Sequence, residues 1–160
     1  MSVVISFISI AVLTAADQLI KFFVEKNLQP IGTARFIDGF IGWNYVRNTG
    51  AAFGSFAQNT TLLSVVTGAV ILAGLILIAT KKIKSKFYLT CAVMIVSGGL
   101  GNLIDRIVKG YVVDFIEVQF TDFAVFNFAD ILVTGGAFAL MIYVIFDMIR
   151  DRKKTGEKHE

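Results

Sequence analysis

Charge is scarce in this chain, and so are the side chains that bind metals. Of its 160 residues, 17% are charged, against about 25% in an ordinary soluble domain. With 56% hydrophobic residues and a mean hydropathy of +0.73, the composition excludes a water-soluble globule and predicts a polytopic membrane protein. There is one cysteine, Cys91, so no disulfide can form within the chain. It lies in the apolar run T-C-A-V-M and reads as a small core residue. The one histidine, His159, sits in a charged tail. This pair cannot build a zinc site, and no metal is expected. Neither H-E-x-x-H nor G-x-S-x-G occurs, which removes the metalloprotease and the hydrolase elbow.

The basic charge is not spread evenly. Lys81, Lys82, Lys84 and Lys86 fall between two apolar runs, and Arg150, Arg152, Lys153, Lys154 and Lys158 follow the last one. A net charge of +3 distributed in this way marks membrane flanks rather than a nucleic-acid surface. Four segments are long enough to span, at about 20 residues each. They run from about Val3 to Phe23, Leu62 to Thr80, Phe87 to Val108 and Phe128 to Ile149. The first has no basic start and no small-x-small site before its charges, so it reads as a retained helix rather than a cleaved signal peptide.

The fold class expected is an all-α membrane protein. Four transmembrane helices carry a small β-sheet platform at the outer membrane face, in a single domain over residues 1–160. The positive-inside rule makes 81–86 a cytoplasmic loop and 150–160 a cytoplasmic tail. Both termini are then cytoplasmic, and 24–61 and 109–127 are the outer connections. Asp38-Gly39 between apolar dipeptides is a hairpin signal. Residues 111–126 suit short strands turning near Thr121-Asp122, and Phe36, Phe40, Trp43 and Tyr45 suit the headgroup zone.

In this topology four carboxylates collect near the outer face. Asp17 and Asp105 come late in outward-going helices, Asp114 lies in an outer connection, and Asp130 opens the returning helix. A carboxylate in a span costs about 2.5–3.5 kcal/mol on insertion scales, so such a gathering points to a site. Asp114 and Asp130 are the strongest pair. Two neighbouring carboxyls titrate as a unit with one proton retained, which suits general acid and base roles in amide hydrolysis. The plainer alternative is a loop aspartate beside a helix N-terminal one.

Around this pair, Asn102 and Asp105 share a helix face, and Arg106, adjacent to Asp105, must pair elsewhere. Asn127 precedes the last helix and can cap it or orient Asp130. Asn48 stands in the Gly-rich bend R-N-T-G-A-A-F-G, and Asp17 and Gln18 face the bundle. Gly98, Gly99, Gly101, Gly135 and Gly136 read as close-approach positions between helices. From these residues alone, a small proton- or cation-coupled transporter with an aspartate relay stays open, as does a structural membrane subunit.

The order A-D-Q-L-I-K, N-T-G-A-A-F-G, G-G-L-G-N-L-I-D-R, G-Y-V-V-D-F and F-N-F-A-D resembles the bacterial lipoprotein signal peptidase family, signal peptidase II. The resemblance implies an aspartyl endopeptidase of the bacterial cytoplasmic membrane. Such an enzyme cleaves the signal peptide from diacylglyceryl-modified prolipoproteins just before the lipidated cysteine. It implies Asp114 and Asp130 as the catalytic dyad, with Asp17, Asn48, Asn102, Asp105, Arg106 and Asn127 as substrate-binding or supporting residues. The partners implied are the prolipoprotein and membrane lipid, with no nucleic acid, metal or organic cofactor. Asn48, Asn102 and Arg106 are candidates to hold the backbone of an extended substrate.

Overall fold

The computed structural model describes residues 2–50 and 60–156. Four helices carry the chain through the apolar segments: α1 (Val3–Asn27), α2 (Thr60–Ala79), α3 (Lys86–Lys109) and α4 (Phe128–Gly156). Each has a window long and apolar enough to cross a membrane. The first runs four residues past the expected Phe23. The last continues through the basic segment to Gly156 rather than stopping at Ile149, because Arg and Lys are good helix formers and a cation-rich C-terminal turn suits the helix dipole. Ser2 and Ser85 cap α1 and α3 with hydroxyls that accept from Ile5 N and Tyr88 N.

The middle of the bundle is α3, packed by the other three helices. Its glycines explain how closely. A β-carbon at Gly98 would collide with Ala129 O at the start of α4, and one at Gly101 would collide with the Asp17 carboxylate of α1. The close-approach reading holds for these positions. Toward the 81–86 connection the helices meet through Ile10, Ile71, Ile78, Leu89, Val93 and Val96. Cys91 is buried in α3, as its apolar setting suggests.

At the opposite end lies an antiparallel sheet of three strands, β1 (Thr33–Ile37), β2 (Ile41–Asn48) and β3 (Val112–Val118), in that spatial order. The Asp38-Gly39 hairpin forms, with Gly39 at φ +74°. Trp43 bridges the strands, its ring 5.2 Å from Phe36 and 5.9 Å from Phe115. Residues 111–126 give one strand rather than several. After a turn at 119–122 the chain returns only as a single bridge between Ile116 and Phe126, since Asn127 already begins the next helix. Gly110, at φ +80°, ends α3 and folds β3 back over its last turn. That reversal brings Asp114 beside the ends of α1, α3 and α4.

Candidate active site

Asn127 is the N-cap of α4 and Asp130 its third residue, and the two close a reciprocal capping box. Asp130 N donates to Asn127 Oδ1 at 2.9 Å, and Asn127 N donates to Asp130 Oδ2 at 3.1 Å. The Asn127 amide nitrogen remains free to turn outward. It donates to Asp114 Oδ1 at 2.6 Å and to Asn102 Oδ1 at 3.1 Å. The cap and the site are therefore one structure, and the two readings of Asn127 are both realised.

Asp114 is 1% exposed on β3. Its second oxygen accepts from Asn48 Nδ2 at 2.8 Å, a diagonal contact set by the register that pairs Asn48 with Val112 and Val46 with Asp114. Asn48 Oδ1 in turn accepts from Gly50 N at 2.9 Å, fixing the amide. Residues 51–54 of that Gly-rich bend lie outside the described residues. Burial, then the neighbouring Asp130 charge, push the Asp114 carboxyl up from 3.8 to about 6, against the pull of Asn48, Asn127 and Lys21.

Asp130 Oδ1 accepts from Asn102 Nδ2 at 2.7 Å. Asn102 Oδ1 is occupied as well, by Lys21 Nζ at 2.9 Å. Asn48 thus holds Asp114 and Asn102 holds Asp130. Arg106 differs. Its Nη2 reaches Gly50 O at 3.4 Å, while its buried Nε has no hydrogen-bond partner among the described residues. Asp114, Asp130, Asn48, Asn102 and Arg106 line one cavity of about 690 Å³, together with Phe123 and Phe126.

Asp17 and Asp105 stand one layer behind. Asp17 Oδ1 accepts from Ala129 N at 3.1 Å, and Asp105 Oδ2 from Val113 N at 3.2 Å. Gln18 donates to Gly101 O at 3.0 Å, facing the bundle as expected. Between the two acids lies Lys21, fully buried. Its signal was available: Asp17 and Lys21 are four residues apart on one face of an otherwise apolar span. Lys109 adds a second cation, 2.7 Å from Glu25 and 3.2 Å from Asp105.

A family model described as signal peptidase (SPase) II matches residues 9–146. The chain belongs to the signal peptidase II family. It is 35% identical over 147 residues to the lipoprotein signal peptidase of Lactococcus lactis subsp. cremoris, covering 92% of this chain and 97% of that one. It is 40% identical over 141 residues to the lipoprotein signal peptidase of Caldanaerobacter subterraneus subsp. tengcongensis, covering 88% and 96%. A bacterial membrane enzyme solved by the in meso method at 2.3 Å resolution superposes with a TM-score of 0.81 at 28% identity, over 89% of this chain and 88% of that one. Membership in the signal peptidase II family makes this chain a multi-pass membrane peptidase that removes signal peptides from prolipoproteins. It also decides against the transporter and the structural subunit.

Proposed function

We propose that this peptidase is of the aspartic type, with Asp114 and Asp130 as its dyad, and that it cuts a diacylglyceryl-modified prolipoprotein just before the lipidated cysteine. The observation that carries the reading is Asn127. Its amide donates to Asp114 while its cap interactions hold Asp130. Two carboxyls from separate elements are thereby held in the lining of the same cavity.

The chemistry follows from the two environments. Asp114, buried and raised to about 6, is the partner that keeps a proton. Asp130, which accepts from Asn102 Nδ2 of α3 and from Asn127 N, is the partner assigned as base. Asp130 takes a proton from water, whose oxygen bonds to the scissile carbonyl carbon, while Asp114 donates its proton to the carbonyl oxygen. On collapse the C–N bond breaks, Asp130 returns its proton to the leaving amine, and Asp114 recovers one from the hydroxyl. Arg106, which lines the cavity, holds a carbonyl of the extended substrate.

The sheet end of the bundle is the outer face of the bacterial cytoplasmic membrane, and both termini are cytoplasmic. Support comes from the four lysines of 81–86 at the other end. Water then reaches the dyad from outside while the acyl chains of the substrate stay in lipid. Cleavage of a diacylglyceryl-modified prolipoprotein by purified wild type, Asp114→Asn and Asp130→Asn in detergent tests the reading, with thermal melts alongside. The expected result is two folded variants with rates down by at least about 100-fold. Wild-type rates in both would end it.

A further inference from the structure

Lys21 has three ammonium hydrogens and three acceptors, and each acceptor leads to the dyad. Nζ lies 2.9 Å from Asp17 Oδ2, 3.0 Å from Asp105 Oδ2 and 2.9 Å from Asn102 Oδ1. All three acceptor residues are at most 8% exposed, and Lys21 itself is at 0%. Asp17 holds the backbone N–H of Ala129, the residue before Asp130. Asp105 holds the backbone N–H of Val113, the residue before Asp114. Asn102 binds the Asp130 carboxylate itself.

We propose that Lys21 is a positioning residue that sets the separation of Asp114 and Asp130, acting as a yoke between α1, the end of α3 and the starts of β3 and α4. This deepens the aspartyl reading above and rests on it. Charge neutralisation alone does not account for the arrangement. Asp105 already has Lys109 at 3.2 Å, and one carboxylate would suffice as a partner for a buried ammonium. The third contact has no charge to neutralise. An ammonium only donates, so Lys21, together with the Asn127 amide, holds the Asn102 oxygen backward while its N–H points forward to Asp130. Without the yoke, α1 no longer couples the two backbone hooks, and each aspartate follows its own element. A shift of about 1 Å in a reacting group costs on the order of 100-fold in rate.

Lys21→Met alone would leave Asp17 buried without a cation, a loss large enough to unfold the protein. The test therefore uses the charge-balanced double Lys21→Met/Asp17→Asn, in which Asp105 keeps Lys109 as its cation and the new asparagine oxygen can still accept from Ala129 N. It is compared with Asp17→Asn alone, by thermal melts and by steady-state cleavage of a diacylglyceryl-modified prolipoprotein in detergent. The expected result is that the double melts at least as high as the single, with kcat at least about tenfold lower and KM within about twofold. A double that matches the single in kcat overturns the proposal and leaves Lys21 a charge partner only. Failure of the double to fold overturns it too, since Lys21 would then be a folding residue. Asp114→Asn and Asp130→Asn run in the same assay. If these still cut at the wild-type rate, the dyad reading has failed independently of Lys21.

Discussion

Near the 81–86 connection, Ile78, Leu89, Val93 and Val96 meet with no charged group among them. At the sheet end of the same bundle, Lys21, Asp17, Asp105 and Asn102 are packed just as tightly, and nearly every polar atom has a named partner. The contrast separates two tasks. In a bilayer, lipid tails are as apolar as leucine, so apolar contacts hold helices together by shape without fixing any one atom. Hydrogen bonds and ion pairs in a low-dielectric interior are directional and costly to leave unmade. The apolar end supplies attachment, and the polar end supplies position.

The sharpest way to break that contrast is to disturb position without touching a polar group. Gly98→Leu would drive a side chain into Ala129 O and the first turn of α4, displacing Asp130 while removing no polar side chain. Cleavage by this variant should fall on the order of 100-fold, with the four-helix circular dichroism signal retained. Near-wild-type turnover would mean that the site tolerates slack, and that the polar end is not a positioning device.

The next effect is on pH. If Asp114 is the proton donor of the proposed dyad, its carboxyl, raised to about 6, keeps its proton up to about that pH and loses it above. The expected profile of kcat/KM therefore has a basic limb near pH 6, falling about tenfold per unit beyond it. The limb for kcat should sit higher, because bound substrate excludes water and deepens the burial that already raises Asp114. A flat profile from pH 5 to 8 would remove Asp114 as the proton donor.

The smallest effect on catalysis belongs to the apolar end. Ile78→Ala, at a position 1% exposed, should cost roughly 2 kcal/mol of stability through the void it leaves, and leave kcat within about twofold. A large loss of turnover would show that the two ends are coupled.

Much of the fold is legible in residue order. Four long apolar runs, two basic clusters and an Asp-Gly turn are local signals, and each produced its element, with ends off by a few residues where charged but helix-favouring segments carried α1 and α4 onward. Asp114, Asp130, Asn48, Asn102 and Asn127 were legible as polar residues out of place in apolar surroundings. What they bind was not. Asn102 and Asn48 read as able to hold a substrate backbone, and in the structure their amides bond the aspartates, while the buried Arg106 Nε has no hydrogen-bond partner among the described residues. The role of Lys21 was not legible, because a lysine near a helix end ordinarily reaches for the interface. Here two acids separated by 88 residues in sequence, Asp17 and Asp105, turn it inward.

By itself, then, the sequence determined that this chain lies in a membrane, how often it crosses, which of its ends carries the acids, and which family it resembles. Those properties follow from hydropathy and local spacing, which the chain carries at every residue. Only the tertiary structure decided which carboxylate each amide holds, that the cap of α4 is also a strut of the site, and that a single ammonium ties the residues before both aspartates together. Such pairings depend on where four helices and a strand come to rest. A buried donor accepts whichever partner the packing brings within about 3 Å, and no run of neighbouring residues encodes that choice.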